Sequence, residues 1–411
     1  MKTYLVGGAV RDRLLDFPVK ERDWLVVGAS PEAMLEQGFT PVGKDFPVFL
    51  HPISHEEYAL ARTERKTAPG YKGFSVIASA EVSLEQDLLR RDLTINAIAQ
   101  ADTGEIIDPY QGRADIENRL LRHVSPAFAE DPVRILRVAR FAARYAHLGF
   151  TVAPETQQLM QTMVASGEVD HLVAERVWTE LHKALGESSP AVFFQVLRDC
   201  GALKVIFPEL DALFGVPQPA QHHPEIDTGV HALLVLAQAS QLSTKPEIRL
   251  AALLHDLGKA LTPSQYWPSH HGHEQQGLPV LKKLCQRLRV PKDFKTLAEL
   301  VMEYHTHCHR ALDLRPDTLA DLLHIIGALK STDKLEAFIL ACEADARGRT
   351  GFENRPYPQG DYLRSACQSL MQLNTEAALQ SGLEGKAIGN AIRQLRIEAL
   401  KQFKQQYRVV Q

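Results

Sequence analysis

Residues 4–15 read YLVGGAVRDRLL, and this stretch predicts a β-strand, a paired-glycine turn and a short helix in succession. Gly7 and Gly8 would let a ligand approach the backbone closely. The helix that follows would offer its free N–H groups and the positive end of its dipole to a phosphate, and Arg11 would add a fork of donors. A glycine pair by itself is more often a plain turn, so the phosphate-binding interpretation depends on the segments downstream.

An acidic triplet, Glu21-Arg22-Asp23, stands directly before the apolar run of residues 24–27. Alternate side chains of a strand share a face, so Glu21 and Asp23 would project together from the sheet. Two adjacent carboxylates are costly unless a cation holds them, and Mg²⁺ takes such oxygen ligands together with substrate phosphates. In a two-metal arrangement, one ion would activate an attacking hydroxyl and the other would clamp a triphosphate. A solvated strand end is the alternative, and Glu57 is the candidate third carboxylate from a neighbouring strand.

Arginines recur in two helix-compatible segments. The first is RRDLTINA at residues 90–97, where Arg91 could reach a phosphate, although a solvated arginine pair is equally consistent with the sequence. The second is EDPVRILRVARFAAR at residues 130–144. At about 100° per residue, its arginines fall within one arc of about 120° and its apolar residues lie opposite. These arginines are Arg134, Arg137, Arg140 and Arg144.

The arginine face lacks the interspersed acids of an ordinary solvated helix. Residues 119–147 carry six arginines and two acids, in a chain whose formal net charge is −4. This imbalance favours an anion-binding face over a solvated one. At the start of the helix, Asp131 and Arg134 lie about one turn apart and form an acceptor and donor set that could hydrogen-bond the edge of a base.

The composition predicts a protein of several domains without a strong overall charge. Its 411 residues correspond to two to four domains, each able to bury an apolar core. With 46 basic and 50 acidic residues, any contact with nucleic acid must use local patches. No apolar run approaches the ~18–20 residues of a membrane span and residues 5–10 are too short for a signal-peptide core, so we expect a cytoplasmic protein with no membrane partner. Five widely spaced cysteines without a C-x-x-C pair predict reduced, buried thiols.

The pattern of apolar residues changes along the chain. Short apolar runs alternate with turn signals through residues 1–118, which predicts a small sheet with a few helices. From about residue 119 onward, long helical periodicities take over. We therefore place domain boundaries near residues 118, 216 and 330.

A second group of candidate ligands lies in the helical part. His255 and Asp256 are adjacent at the end of an apolar helix pattern, with His231 upstream and both His273 and His305 downstream. Imidazole and carboxylate ligands from several helices suit a divalent transition metal such as Ni²⁺, Mn²⁺, Co²⁺ or Fe²⁺, which would activate water and polarise a phosphoryl oxygen. Each histidine taken singly is more often structural than a ligand.

Other histidines in this region favour a different interpretation. Consecutive ligands on one short segment seldom converge, so we interpret His307 and His309 as parts of a histidine-rich surface. We interpret His270 and His271 in the same way. Asp345 is a further candidate ligand, but its spacing in the sequence is not enough to assign it to this group.

Four motifs occur in order, at residues 5–12, 21–23, 90–97 and 130–141, and together they resemble the bacterial class II tRNA nucleotidyltransferases. Over nearly its whole length the chain is similar to the CCA-adding members that carry an HD domain. The resemblance implies an α+β fold, with a polymerase-β-type nucleotidyltransferase head followed by an all-α neck and body, an HD domain and a tail. It also implies template-independent addition of C, C and A to the tRNA 3′ end from CTP and ATP. The implied domains are 1–118 for the head, 119–216 for the neck and body, 217–330 for the HD domain and 331–411 for the tail.

The resemblance implies roles at the positions that match the family motifs. Glu21 and Asp23 would be catalytic Mg²⁺ ligands, and Asp131 and Arg134 would distinguish C and A by mimicking base pairing. The family usually has Asp-x-Asp, so Glu21 is a departure that keeps the charge and ligand type but is one methylene longer. The residues implied to bind the nucleotide are Gly8, Arg11, Arg91, Asp131, Arg134, Arg137 and Arg140.

Residues 255–259 and 272–277 resemble the HD phosphohydrolase superfamily. In this subgroup an HD domain implies phosphatase, 2′-nucleotidase and 2′,3′-cyclic phosphodiesterase activities, with His255 and Asp256 as catalytic residues. Ni²⁺ is the candidate metal. Its implied ligands are His231, His255, Asp256, His273 and His305.

Two alternatives share parts of this pattern. A bacterial poly(A) polymerase has the same head motifs, but the HD segment and the near-neutral charge argue against it. The other alternative is a hydrolase centred on the HD segment, whose N-terminal part only binds a regulatory nucleotide. Residues 386–408 carry six basic residues and one acid on a helical pattern, which fits either a stripe along tRNA phosphates or a solvated terminal helix. The oligomeric state stays open between a monomer and a homodimer.

Overall fold

The computed structural model describes residues 1–19, 21–42, 47–66, 74–374 and 385–410. They belong to two compact units, Met1–Ile206 and Phe207–Gln411. The strands are β1 Lys2–Val6, β2 Asp23–Val27, β3 Thr40–Val42, β4 Val48–Leu50, β5 Glu57–Leu60, β6 Arg62–Lys66, β7 Phe74–Ala78, β8 Ala99–Ala101, β9 Ile106–Ile107, β10 Leu120–Leu121 and β11 Thr151–Val152. The α-helices of the first unit are α1 Gly8–Leu14, α2 Pro31–Glu36, α3 Leu84–Leu89, α4 Gly112–Glu117, α5 Val133–Tyr145, α6 Pro154–Ala165, α7 Ala174–Gly186, α8 Pro190–Asp199 and α9 Ala202–Ile206. Those of the second unit are α10 Pro208–Asp211, α11 Thr228–Leu242, α12 Pro246–Leu254, α13 His273–Arg287, α14 Lys292–His309, α15 Pro316–Ile326, α16 Thr332–Arg347, α17 Pro358–Met371 and α18 Lys386–Val410.

Within the described residues, the first unit contains a seven-stranded sheet in the order β3-β4-β5-β2-β1-β8-β9. Its neighbouring strands are antiparallel, apart from β2 and β5, which run parallel. Val6 and Leu25 pack with Leu88 of α3 on one face, and Leu5 packs with Val10 of α1 on the other. Helices therefore cover both faces, and the small sheet predicted for residues 1–118 is confirmed.

The pairing register brings the candidate nucleotide-binding groups to one end of the sheet. Val6 is paired with Asp23 across β1 and β2, and Asp23 is paired with Glu57 across β2 and β5. Gly7 follows Val6 with a φ of +66°, in the left-handed region that glycine adopts without steric cost. The glycine turn that begins α1 therefore lies beside the carboxylate that begins β2.

Helix α5 carries the arginine face. It begins directly after Pro132, a position at which the missing N–H of proline costs no helical hydrogen bond. Its apolar residues are buried, and the helix packs against α7 and α8. Arg134 and Arg140 are buried as well, so much of the arginine face lies within the protein rather than in open solvent.

The second unit is a helical bundle in which α12 packs against α11, α14 and α16. Helix α12 ends at Leu254, and His255 and Asp256 follow directly. A Cβ at Gly258 would collide with the carbonyl oxygen of His273, so glycine allows this turn to lie directly on the start of α13. The close approach brings His273 next to Asp256.

The helix content, the cysteines and the lack of a membrane-spanning helix can be compared with the predictions from the sequence. The helical character of the chain beyond residue 119 is confirmed, and the five cysteines are free and buried as expected. Across the described ranges, no helix combines the length and the apolar character that crossing a membrane requires. The domain boundaries near residues 118, 216 and 330 stay predictions.

Candidate functional site

A cavity of about 790 Å³ opens in the first unit beside the glycine turn and the start of β2. Among the described residues that line it, ten are arginine or lysine and five are aspartate or glutamate, so its potential favours a polyanion. Apart from Glu57, every residue of the first unit that the sequence indicates as a nucleotide or Mg²⁺ ligand lines this cavity. These residues are Gly8, Arg11, Glu21, Asp23, Arg91, Asp131, Arg134, Arg137 and Arg140.

The glycine turn and two arginines form one side of the cavity. A Cβ at Gly7 would lie 2.7 Å from Arg91 Nη1, so the absence of a side chain leaves room for that guanidinium. Arg11 donates from Nη1 to Asn96 Oδ1 at 2.5 Å. The Arg11 Cζ also lies 5.0 Å from the centre of the Phe141 ring, within cation–π range. The amide and the ring together hold Arg11 at the cavity wall.

Carboxylates hold two arginines of α5 in place. Arg137 Nε donates to Asp92 Oδ2 at 2.6 Å, and Arg140 Nε donates to Glu180 Oε2 at 2.7 Å. Burial by itself raises the pKa of Asp92, but Arg137 and a hydrogen bond from Asn96 hold that pKa well below its ordinary value. Asp92 therefore stays ionised and keeps the Arg137 guanidinium oriented at the cavity.

Asp131, which the family resemblance pairs with Arg134 for base reading, is held by Arg176. The Arg176 guanidinium donates from Nη1 to Oδ1 at 2.9 Å and from Nη2 to Oδ2 at 2.7 Å. Arg134 donates to two backbone carbonyls, those of Ala127 at 3.0 Å and Arg90 at 2.6 Å. The sequence does not single out Arg176, because it lies 45 residues after Asp131 and no motif spacing connects the two.

The two carboxylates predicted to bind Mg²⁺ both line the cavity. Asp23 is the first residue of β2, and Glu21 lies just before that strand. Partial burial raises the pKa of Asp23, Arg91 opposes this effect and Glu21 adds to it. A divalent cation would relieve the repulsion between the two carboxylates, so this donor set fits Mg²⁺. Glu57 is paired beside Asp23 but is not among the described residues that line the cavity, and its role as a third ligand stays a prediction.

In the second unit, the histidines predicted as metal ligands converge on Asp256. His255 Nε2 lies 3.0 Å from Asp256 Oδ2, and His273 Nε2 lies 3.1 Å from Asp256 Oδ1. His305 Nε2 lies 3.8 Å from Oδ1, and His231 Nε2 lies 3.9 Å from Oδ2. The five candidate ligands therefore meet in one largely buried cluster.

The far side of these imidazole rings is fixed by the backbone. The Nδ1 atoms of His255, His273 and His305 lie 2.8, 2.7 and 3.1 Å from carbonyl oxygens three or four residues earlier in the chain. A carbonyl accepts only from a protonated nitrogen, so these contacts place the proton on Nδ1. The Nε2 atoms are then directed at the centre of the cluster, as in histidines that bind metals.

The centre of the cluster has the character of a cation site. His255 Nε2 and both carboxylate oxygens of Asp256 are fully buried, and their close polar neighbours are other side chains of the cluster. Burial by itself lowers the pKa of His255, but Asp256 and Asp345 raise it to about 10. Burial and the nearby His255 lower the pKa of His305 to about 3. Imidazole nitrogens around buried carboxylates form a donor set that fits a divalent transition metal.

Three more residues join this cluster. Asp345 Oδ1 lies 3.1 Å from His231 Nε2. The fold therefore brings this candidate ligand, which the sequence spacing could not assign, to the centre of the cluster. Lys259 Nζ lies 2.6 Å from Asp256 Oδ2, and Glu225 Oε1 lies 2.9 Å from His231 Nδ1. Glu225 could have been suspected only from its place in the loop before α11, where it carries no ligand spacing of its own.

The four histidines interpreted as surface residues have different environments, and one of them, His307, is half-buried. His271 is exposed, as predicted. The prediction is wrong for His309, because the end of α14 places its Nε2 2.6 Å from Asp345 Oδ2. It is also wrong for His270, which is buried, with Nδ1 2.9 Å from the Thr262 hydroxyl and Nε2 2.8 Å from a backbone carbonyl. Residues from other parts of the chain, which the local sequence does not reveal, contact both rings.

Protein-family models match three parts of the chain. Residues 3–122 match the poly A polymerase head domain, residues 149–214 match the probable RNA- and SrmB-binding site of polymerase A, and residues 228–346 match the HD domain. These matches confirm the predicted fold class, a polymerase-type head followed by helical regions that include an HD domain.

Curated relatives match over the full length of the chain. The multifunctional CCA protein of Thioalkalivibrio sulfidiphilus is 63% identical over 407 residues, which cover 99% of this chain and 100% of that protein. The multifunctional CCA protein of Methylococcus capsulatus is 64% identical over 405 residues, which cover 98% of this chain and 95% of that protein.

Solved structures share the same fold at lower identity. The Bacillus stearothermophilus CCA-adding enzyme in complex with CTP has a TM-score of 0.62 at 24% identity, over 96% of this chain and 87% of that chain. The Thermotoga maritima CCA-adding enzyme complexed with tRNA has a TM-score of 0.61 at 19% identity, over 97% of this chain and 86% of that chain.

Proposed function

Since the chain belongs to the family of multifunctional CCA proteins, it is a CCA-adding nucleotidyltransferase with an HD domain, and we propose how its two sites act. The cavity of the first unit binds CTP or ATP and adds C, C and A to the tRNA 3′ end without a template. One observation carries this proposal: the first-unit residues implied by the family motifs line a single cavity with twice as many cationic as carboxylate side chains. A nucleoside triphosphate is the polyanion that such a cavity suits.

The proposed reaction is attack by the 3′ oxygen of the tRNA on the α-phosphorus of the nucleotide. A new P–O bond forms, the bond to the bridging oxygen of the β-phosphate breaks, pyrophosphate leaves, and the proton of the attacking hydroxyl is released. Arg11, Arg91 and Arg140 bind the triphosphate and neutralise the charge that moves onto the leaving group. Glu21 and Asp23 would hold Mg²⁺, which when bound lowers the pKa of the attacking hydroxyl and clamps the triphosphate.

Base selection is proposed to use Asp131 and Arg134. Cytosine and adenine both present an amino donor next to a ring-nitrogen acceptor, whereas uracil and guanine present the reverse order. A fixed carboxylate acceptor beside a fixed guanidinium donor therefore accepts C and A and rejects U and G. This reading requires Asp131 to keep its orientation, which the contact with Arg176 favours.

The cluster of the second unit is proposed to hydrolyse phosphate esters. His231, His255, Asp256, His273 and His305 would hold a divalent transition metal, with Ni²⁺ as the first candidate. When bound, the metal would activate water and polarise a phosphoryl oxygen. The expected activities are phosphatase, 2′-nucleotidase and 2′,3′-cyclic phosphodiesterase, which fits the repair of tRNA ends. We expect the enzyme to work in the cytoplasm.

One set of variants tests the activities of the two sites separately. Incorporation of labelled CTP and ATP into tRNA lacking its 3′ CCA is measured with Mg²⁺, and hydrolysis of 2′-AMP is measured with Ni²⁺. Asp23→Ala is expected to lose transfer and keep hydrolysis, whereas Asp256→Ala loses hydrolysis and keeps transfer. The exposed Asp102→Ala is the matched control. Long tracts of A alone would identify a poly(A) polymerase, and hydrolysis without any incorporation would identify an enzyme centred on the HD domain.

A further inference from the structure

Arg11 of α1 is almost completely buried, although it lines the cavity of the first unit. A buried guanidinium is costly unless its donors are paired. While Nη1 donates to Asn96, the Nε and Nη2 atoms both donate to Oδ1 of the next residue, Asp12, at 2.9 and 2.7 Å. The direction in which the Arg11 guanidinium points therefore depends on the position of the Asp12 carboxylate.

The Asp12 carboxylate is itself held by the end of another helix, α5. The Tyr145 hydroxyl donates to Oδ1 at 3.2 Å, and Arg144 Nη2 donates to Oδ2 at 3.4 Å. Both partners belong to the last turn of the helix that carries the arginine face. Contacts at both oxygens fix the plane of a carboxylate as well as its position.

Tyr145 provides a rigid support for this contact. Its side chain is fully buried, and its ring centre lies 5.4 Å from that of Phe150 and 6.1 Å from that of Phe141. Burial raises the pKa of Tyr145 to about 12. The hydroxyl therefore keeps its proton at neutral pH and remains a hydrogen-bond donor.

The ring of Tyr145 acts on Arg11 as well. Its centre lies 5.5 Å from Arg11 Cζ, within cation–π range. The ring and the hydroxyl thus hold the same guanidinium, one through its face and the other through Asp12. Neither Tyr145 nor Asp12 is among the described residues that line the cavity, so both act on the nucleotide through Arg11.

We propose that Tyr145 is a positioning residue for nucleotidyl transfer: through Asp12, it holds the Arg11 guanidinium in the orientation that binds the triphosphate. The inference rests on the proposed role of Arg11 in the cavity of the first unit. Helix α5 also carries Arg134, so the contact keeps the triphosphate-binding group in a fixed relation to the base-reading residue. Because CTP and ATP share the triphosphate, Tyr145 serves both nucleotides equally.

The test measures binding of CTP, ATP and CMP to the full-length protein with Mg²⁺ by titration calorimetry. Tyr145→Phe keeps the ring and removes the hydroxyl. It is expected to weaken CTP and ATP binding by about 5–10-fold, as the loss of one hydrogen bond predicts, and to leave binding of CMP, which lacks the β- and γ-phosphates, unchanged. Asp12→Asn, which removes the charge, is expected to act more strongly in the same direction. Tyr110→Phe is the matched control, because it loses a hydroxyl contact with the Glu85 carbonyl at 2.8 Å and does not line the cavity.

A double-mutant cycle with Arg11→Gln shows whether Tyr145 acts through Arg11. Arg11→Gln by itself is expected to weaken CTP binding, and Tyr145→Phe is expected to add no further loss in that background. An additive loss overturns the proposal. An equal loss of CTP and CMP binding in Tyr145→Phe also overturns it, because Tyr145 would then only support the packing of α5.

The same cycle separates this proposal from the proposed function of the cavity. If Arg11→Gln weakens CTP binding and Tyr145→Phe does not, the positioning role of Tyr145 is wrong and the triphosphate-binding role of Arg11 stands. If Arg11→Gln binds CTP as wild type does, both roles are wrong.

Discussion

Arg176 holds both carboxylate oxygens of Asp131, with Nη1 at 2.9 Å from Oδ1 and Nη2 at 2.7 Å from Oδ2. A planar guanidinium that donates twice fixes the plane of the carboxylate as well as its position. Asp131 is the residue proposed to accept a hydrogen bond from the amino group of C or A. We therefore expect base selection to depend on Arg176, which lies on α7.

We expect Arg176→Gln to lower the preference for CTP over UTP by about tenfold, which corresponds to part of one base-edge contact. Single-nucleotide incorporation into tRNA lacking its CCA end, with each triphosphate in turn, measures this ratio. Arg198→Gln, a surface change on α8, is the matched control. An unchanged CTP to UTP ratio would show that Asp131 keeps its orientation without Arg176, or does not read the base.

Variants of Glu21 that change the length or the charge of its side chain test the proposed Mg²⁺ site. Glu21→Asp restores the side-chain length that is usual in the family and is expected to keep transfer activity, since the carboxylate remains. Glu21→Gln keeps the length but removes the charge, and it is expected to require much more Mg²⁺ and to slow transfer strongly. The measurement is the transfer rate over a series of Mg²⁺ concentrations. Wild-type behaviour of Glu21→Gln would exclude Glu21 as a ligand.

Glu57 allows the third-ligand prediction to be tested in the same assay. The parallel register places it directly beside Asp23, on the neighbouring strand. If it is a third ligand, Glu57→Gln slows transfer as Glu21→Gln does. A fully active Glu57→Gln would leave the metal with two carboxylates from this chain.

Local sequence was sufficient for much of the head site. Three features of the site involve residues that are close together in the chain: the glycine pair, the acidic triplet and the arginine face. Turn-forming residues, strand alternation and helical periodicity are therefore enough to find them. Arg176 could not be found in this way, because its partner Asp131 lies far from it in the sequence, just before α5, and the packing of α5 on α7 brings the two together. The same reason applies to Asp345, which reaches the histidine cluster through the packing of α16 on α11 and α12.

The surface interpretation of His270 and His309 failed for a related physical reason. Neighbouring histidines on a polar stretch resemble a solvated segment when only the local sequence is considered. In the folded chain, His270 is buried and His309 contacts Asp345. Burial of a polar ring depends on distant partners that satisfy its nitrogens, and those partners are not encoded near it in the sequence.

Asp92 gives a stability prediction that depends on pH. Burial alone raises its pKa, but Arg137 and Asn96 lower it below the ordinary value of 3.8. A carboxyl with a lowered pKa in the folded state stabilises the fold above its unfolded pKa, and this contribution is lost as the pH falls through the folded pKa. We expect Asp92→Asn to lower the free energy of unfolding by about 2 kcal/mol at neutral pH, the value typical of a hydrogen bond to a charged group.

Urea denaturation at several pH values tests this sign. The difference between wild type and Asp92→Asn is expected to be constant from neutral pH down to about pH 5 and to shrink below pH 3.8, where the unfolded carboxyl takes up its proton. Asp102→Asn, at an exposed position, should show no such dependence. A difference that grows as the pH falls would contradict the predicted direction of the shift.

Glu225 is expected to support the metal cluster without binding the metal itself. Its Oε1 lies 2.9 Å from His231 Nδ1, while His231 Nε2 faces Asp345 Oδ1 at 3.1 Å, so the carboxylate orients the ring from behind. Removing such a partner typically weakens metal affinity by about 10–100-fold, and Glu225→Ala is expected to fall in that range. Glu225→Gln keeps an acceptor oxygen and should recover part of the affinity. Competition with a chelator measures Ni²⁺ affinity directly, and Glu247→Gln on α12 is the control. Unchanged affinity in Glu225→Ala, with normal tRNA end addition, would show that His231 needs no orienting carboxylate.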